Sequence, residues 1–401
     1  MNNPLHTKLA MAATLIGVLL LPACSTMDAI WSSNEAPLNV AGSSSQPSSF
    51  KGAGISVAWR TDLDQRIAAS APGFSLPGVY NSGGSQLIVA GTQDKRVRVY
   101  SENGAEQKRI ALDASCESGM LQLPNGLMVV GDIDGGLYGL DLEQESRRWK
   151  VELSSSLIGK PVAVDDGFII QTDDNQLYRF TGDGKKLWSY SGSLGGLAMH
   201  LTPSPVVHQN RVYAALSNGE VVALKAESGS FVWKRQLLFD NEASVLSELS
   251  LPVATPTVIA AADSGRDEDI LIVPVFQGEL ITISLFDGST INSRQLSLKS
   301  EALLDGQQLF VADAAGSVSA LSVADGQTLW KQNISSSELT GPVIWQNDLW
   351  VADEQGRIYR LNKDGKLKAS IELPGRFDRT PVAASNGVLV RNDRGTLYLL
   401  H

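Results

Sequence analysis

A chain of 401 residues with 43% hydrophobic and 19% charged side chains can build a large core, which excludes wholesale disorder. Thirty-three Lys plus Arg against 43 Asp plus Glu give a net charge of −10, so there is no basic footprint for nucleic acid or anionic lipid. Two cysteines, Cys24 and Cys116, exclude a disulfide scaffold, and 37 glycines point to many turns.

The N-terminus carries Lys8, the 13-residue apolar run Leu9 to Leu21, and then Leu21-Pro22-Ala23-Cys24. A membrane-spanning helix needs about 20 residues, so the run reads as a signal-peptide core. Cys24, directly after a small residue and three after Leu21, resembles the bacterial lipobox cysteine, which is acylated and becomes the new N-terminus. The alternative is a plain cleaved signal with an incidental cysteine. Anchoring would then be by acyl chains rather than by charge. Ser25, where Asp would signal retention, implies by the same resemblance the outer membrane. Residues 24–54 have no apolar period and include Ser43-Ser44-Ser45-Gln46-Pro47-Ser48-Ser49, which predicts a flexible tether. Cys116 is left as a free thiol, expected to be a small buried apolar residue.

From residue 55 a pattern recurs eight times: a turn residue, often Gly, two positions before a short apolar strand. Its first apolar residues are Val97, Leu137, Leu177, Val221, Leu280, Val318, Ile358 and Leu397, spaced 40, 40, 44, 59, 38, 40 and 39 residues apart. About seven residues after most of them comes Asn-Gly or Asp-Gly, as at Asn103-Gly104, Asp183-Gly184 and Asp364-Gly365, marking tight hairpins. Four residues beyond the glycine stands Trp188, Trp233 or Trp330; Trp149 holds the place in the second unit, and Lys108, Asn292 and Ala369 hold it elsewhere. Sixteen residues before the anchors lie Pro161, Pro205, Pro342 and Pro381, expected at the first position of a strand. Pro256 is displaced by eight residues, accounted for by the polar insert 263–269.

Four short strands in forty residues make one blade of a β-propeller. The last unit ends without a fourth strand, and Ile55-Ser56-Val57-Ala58-Trp59-Arg60 is a Trp-bearing fourth strand with no unit before it. Joining them predicts an all-β, eight-bladed β-propeller over 55–401, its ring closed by an N-terminal strand, which removes the exposed sheet edge.

Trp-Asp dipeptides are absent, and the Gly-x-x-x-Trp corner resembles that of quinoprotein-type propellers. With the lipobox, the tether and the N-terminal closing strand, the chain is similar over residues 24–401 to the BamB family, lipoproteins of the outer-membrane β-barrel assembly machinery. The resemblance implies a non-enzymatic role, attachment to the periplasmic domains of BamA, help in folding outer-membrane barrels as clients, and an outer-membrane, periplasm-facing location. The family's contact is a Leu-x-Leu-Arg stretch followed by acidic residues. Here Leu194 and Leu197 stand nearest to the leucines without a following arginine, and Glu248 is the acidic counterpart.

Loop lengths point to the same region. Trp149 to Pro161 and Trp330 to Pro342 each span 12 residues, but Trp188 to Pro205 spans 17 and Trp233 to Pro256 spans 23. These connections carry Met199, Leu237, Leu238, Phe239, Leu246 and Leu249, which form either an apolar binding patch or extra core. The rival readings are a carbohydrate- or peptide-binding propeller and a quinone-cofactor dehydrogenase. The latter resembles its relatives in a vicinal cysteine pair, and no such pair is present. Asp132-Ile133-Asp134-Gly135-Gly136 reads as a hairpin turn rather than a calcium loop. No cofactor and no metal are expected.

Overall fold

Each repeat folds as an antiparallel meander of four strands. The computed structural model describes residues 51–52, 54–64, 75–193, 203–237 and 251–401, all within the unit Ser43–His401. Cys24 and the segment before it lie outside these residues. The described strands form eight sheets, so the propeller has eight blades: residues 78–111, 121–152, 162–191, 206–236, 257–295, 303–333, 339–372 and, for blade eight, 382–400 with the strand Ile55–Asp62. Every anchor residue named above is the second residue of its blade's third strand.

Closure follows the expected route. Ile55–Asp62 pairs antiparallel with Thr396–Leu400, Arg60 lying opposite Tyr398 and Thr61 opposite Leu397, and Lys51–Gly52 adds a short fifth strand. Just past this strand the Asp64 carboxylate meets Arg391 Nη2 at 2.5 Å, both side chains almost fully buried. The same guanidinium donates through Nη1 to the carbonyls of Ser75 and Gly91, tying blade eight to blade one.

The core lies between the blades. Successive residues of a strand point to opposite faces, and each blade is covered on both faces. In the second strand of blade two, Met128 and Val130 face blade one while Val129 faces blade three. Eight such apolar clusters occupy the eight junctions, the last joining Trp59 and Leu397 of blade eight to Ile88 and Tyr100 of blade one. Outer strands are more exposed and bear charges, such as Arg147, Arg148 and Lys150, that discourage edge pairing.

Four prolines directly precede first strands: Pro161, Pro205, Pro256 and Pro381. Pro342 instead lies inside Leu339–Trp345, at a register shift between Thr340 and Val343 where its missing N–H breaks no ladder bond. A single helical turn, Ala261–Ser264, leads into the polar insert of blade five, which then runs into the strand Ile270–Pro274.

The Trp corner joins blades rather than closing one. Trp188 lies on Gly229 of the next blade, at φ 69°, where a Cβ would stand 2.7 Å from the indole. Its N–H donates to the Ala226 carbonyl at 2.9 Å. Trp59, Trp149, Trp233 and Trp330 repeat this on Gly104, Gly184, Gly288 and Gly365, with N–H donation to Glu102, Gly182, Leu285 and Lys363. A β-bulge beside the Trp position shifts the register in all eight outer pairings. Bulges bend a strand and re-aim its side chains. Here the bulge accompanies the turning of the ring toward the neighbouring blade.

Candidate partner-binding face

The connections from outer strand to next inner strand lie across the turns between second and third strands, so both sets share one face. Leu153 N–H donates to the Gly135 carbonyl of its own blade, and Asp173 N–H of blade three to the Ser156 carbonyl of the same connection. The same stitching joins Ala314 to Ser297, Glu354 to Glu338 and Asp393 to Arg376.

Side-chain oxygens shape the turns. Asp132 Oδ1 accepts from the N–H groups of Asp134 and Gly136, and its Oδ2 accepts from the Tyr138 hydroxyl at 2.6 Å. Asp313 and Asp353 use Oδ1 in the same way, and Asn392 does so through its amide oxygen. The Asp132 stretch is thus a hairpin turn, as read from sequence: its carboxylate is spent on the turn.

The expected partner-binding residues Leu194, Leu197 and Glu248 lie outside the described residues, as do Met199, Leu238, Phe239, Leu246 and Leu249. The leaving end of the first long connection and both ends of the second are fixed on this face. Gly192 N–H donates to the Asn175 carbonyl and Asn175 Nδ2 to the Ser193 carbonyl. Leu237 N–H donates to Gly219, and the Leu251 carbonyl accepts from Phe276 N–H. Leu237 belongs to the core between blades four and five, so of the two sequence alternatives the core one applies to it. It follows directly on the outer strand Phe231–Gln236, and its side chain is buried.

Two apolar features of this face were missed from sequence. Leu251, Val253 and Phe276 form a cluster with Ala314, apart from the inter-blade cores, and Lys299 Nζ stands 5.2 Å over the Phe276 ring. Ile133 is 40% exposed. Both Phe276 and Ile133 occupy the second position of a turn that elsewhere holds Gln93, Asp173, Ser217, Ala314, Glu354 or Asp393, so turn-by-turn alignment would have flagged them as the large apolar residues.

Charge on the face is partly paired. Lys299 bridges Glu338 and Glu354, which raises its pKa against the opposing effect of burial. Around the axis Lys160 N–H donates to Ser204 Oγ, Ser204 N–H to Thr255 Oγ1, and Ser300 Oγ to the Gly341 carbonyl. Glu301 follows directly on Ser300. Water reaches it, yet it is walled in by protein, and burial pushes its carboxyl above the ordinary value, with Lys160 opposing. Burial pulls the Arg379 guanidinium down, against Asp378 and Glu117. Among the described residues no group of three or more His, Cys, Asp or Glu could hold a metal ion.

Comparison with known proteins fits this architecture. The chain is 24% identical over 350 residues to the outer membrane protein assembly factor BamB of Escherichia coli K12, covering 85% of this chain and 87% of that one. The crystal structure of BamB from Moraxella catarrhalis matches with a TM-score of 0.71 at 19% identity, over 86% of this chain and 99% of that one. A europium-containing methanol dehydrogenase shares the fold at 11% identity, with a TM-score of 0.66 over 84% of each chain. The family model described as outer membrane protein assembly factor BamB matches residues 93–332 and 314–400. The chain therefore belongs to the BamB family.

Proposed function

We propose that this chain is a non-enzymatic lipoprotein of the outer-membrane β-barrel assembly machinery, which binds the periplasmic domains of BamA and assists barrel folding. The observation that carries the reading is the family match over most of the propeller. The shared face supports it, because two of the three longest connections leave the ring there, after blades three and four. Leu194, Leu197 and Glu248 are the contact residues of this reading. Residues 1–23 are its signal, Cys24 its acylated anchor and 24–54 its tether, which together place the propeller in the periplasm at the outer membrane. Two features speak against dehydrogenase chemistry: the cysteines stand at 24 and 116, and the Asp132 carboxylate is committed to its turn.

Removing the gene from its host tests the role. Outer-membrane barrel proteins should fall in abundance and recover with the wild-type chain, and unchanged barrel levels would overturn the proposal. Replacing Leu197 and Glu248 together should weaken recovery of BamA with the chain; full recovery would remove those two from the contact.

A further inference from the structure

Seven of the eight inter-blade cores contain an aromatic ring, and the core between blades five and six, among the described residues, contains none. Register gives the reason. Asn292 lies opposite Thr282 beside the bulge, at the position where Trp233 lies opposite Ala223 and Trp330 opposite Ala320. The receiving turn on blade six nevertheless keeps the docking form. Gly326 has φ 74°, like Gly229 at 69° and Gly288 at 76°, but no atom lies within 4 Å of where its Cβ would stand.

The other junctions without a Trp in this position are filled differently. Lys108 Nζ donates to the carbonyls of Leu142 and Glu143. At Ala369 the fully buried Trp350 of the second strand supplies the ring. Between blades five and six no ring is supplied, and Arg266 takes the part of Lys108, donating to the Val323 carbonyl that corresponds to Leu142. A small cleft of about 40 Å³, open to solvent, remains there, with Ile272, Leu280, Leu309 and Leu321 among its apolar walls.

Two guanidinium groups border the cleft. Arg266 Nε donates to the Val323 carbonyl at 2.9 Å. That carbonyl stands three residues before Gly326, as Leu285, the acceptor of the Trp233 indole, stands three before Gly288. Arg294 Nη1 donates to the Gly326 carbonyl at 3.1 Å and its Nη2 to Thr328 Oγ1. Hydrogen bonds from Ser322 and the Gln327 N–H, with a smaller contribution from Arg266, hold the Asp325 carboxyl below its ordinary value, and Arg294 makes no ion pair among the described residues.

We propose that this cleft binds a small aromatic carboxylate. The ring enters the slot over Gly326 that an indole fills at five other junctions, as Arg266 and Arg294 swing off their carbonyls, and the carboxylate pairs with Arg294. The apolar wall supplies affinity through the large area an aromatic ring buries, and the guanidinium selects for charge. This is independent of the assembly role, since the cleft lies on the outer rim.

Titration of the full chain with N-acetyltryptophan and with its uncharged amide, followed by calorimetry, tests the assignment. The acid should bind with a dissociation constant on the order of 1 mM or below, at least about threefold tighter than the amide. Asn292→Trp, which places the chain's own ring in the slot, should abolish binding and raise the melting temperature by about 2 °C or more. Arg294→Gln should erase the preference for the acid and spare the amide. No binding at 10-fold higher concentration, binding unchanged by a folded Asn292→Trp, or a preference that survives Arg294→Gln would each overturn the proposal. Should Asn292→Trp fail to fold, the Arg294→Gln comparison decides alone.

Discussion

Ring closure can be tested at one side chain. Trp59 belongs to the strand that completes blade eight and is 2% exposed. Its ring stacks on Tyr100 at 6.4 Å between centroids, covers Gly104 of blade one, and donates its N–H to the Glu102 carbonyl at 2.9 Å. Truncating a buried Trp to Ala costs about 3–5 kcal/mol through lost transfer energy and the cavity left behind. The Glu102 carbonyl adds little, because Asn386 Nδ2 also donates to it at 2.9 Å. At ~2 °C per kcal/mol for a domain of this size, Trp59→Ala should lower the melting temperature by about 6–10 °C. Urea unfolding followed by far-ultraviolet circular dichroism measures the change without depending on the deleted fluorophore. Leu329→Ala, at a side chain 51% exposed on an outer strand, is the control and should stay within about 0.5 kcal/mol. A Trp59→Ala loss no larger than that of Leu329→Ala would refute closure by this strand.

Gly229→Ala and Gly326→Ala separate docking from backbone strain. Both glycines are at positive φ, but only Gly229 carries a Trp. Gly326→Ala should cost about 1–2 kcal/mol, the penalty of the left-handed region, and Gly229→Ala measurably more in the same unfolding assay; equal losses would contradict the docking role. Glu301 is held above its ordinary pKa of 4.5 by burial, so ionisation opposes folding. The penalty is absent well below pH 4.5, where folded and unfolded forms are both protonated, grows as pH rises from 4.5 toward the folded pKa, and is constant above it. Glu301→Gln should therefore stabilise the protein at pH 7 and leave it unchanged at pH 3.5, as thermal unfolding at the two values would register. Cys116 is 1% exposed, and burial pushes its thiol up to about 12. An aromatic disulfide reagent at pH 8 should label it only after unfolding, and rapid labelling of the native protein would contradict that burial.

The repeat was legible because turns demand particular residues. Asp-Gly and Asn-Gly at a fixed distance from an apolar anchor located every third strand, and the unmatched Trp59 segment identified the closing strand. Direction was harder to read. Gly184 and Trp188 are neighbours in sequence, but each makes its contact across a junction, Gly184 with Trp149 and Trp188 with Gly229, because the bulge turns the ring toward the next blade. Adjacent residues in a chain carry no signal of that rotation. In the third strands Leu137, Tyr138, Gly139 and Leu140 are all buried, since blades cover both faces. Leu237 could be read as core or patch for a related reason: the residue leaving an outer strand is apolar in either case. Phe276 went unnoticed because a lone aromatic in a turn has no period, and only its contacts with Leu251 and Val253 give it meaning.

The account rests most heavily on attachment to the barrel-assembly machinery. Affinity purification of the tagged, full-length chain from detergent extracts of its own host measures this directly. The account predicts that BamA is recovered with the wild-type chain. Extracts that yield the intact chain without BamA, under conditions that keep the rest of the assembly machinery together, would contradict it.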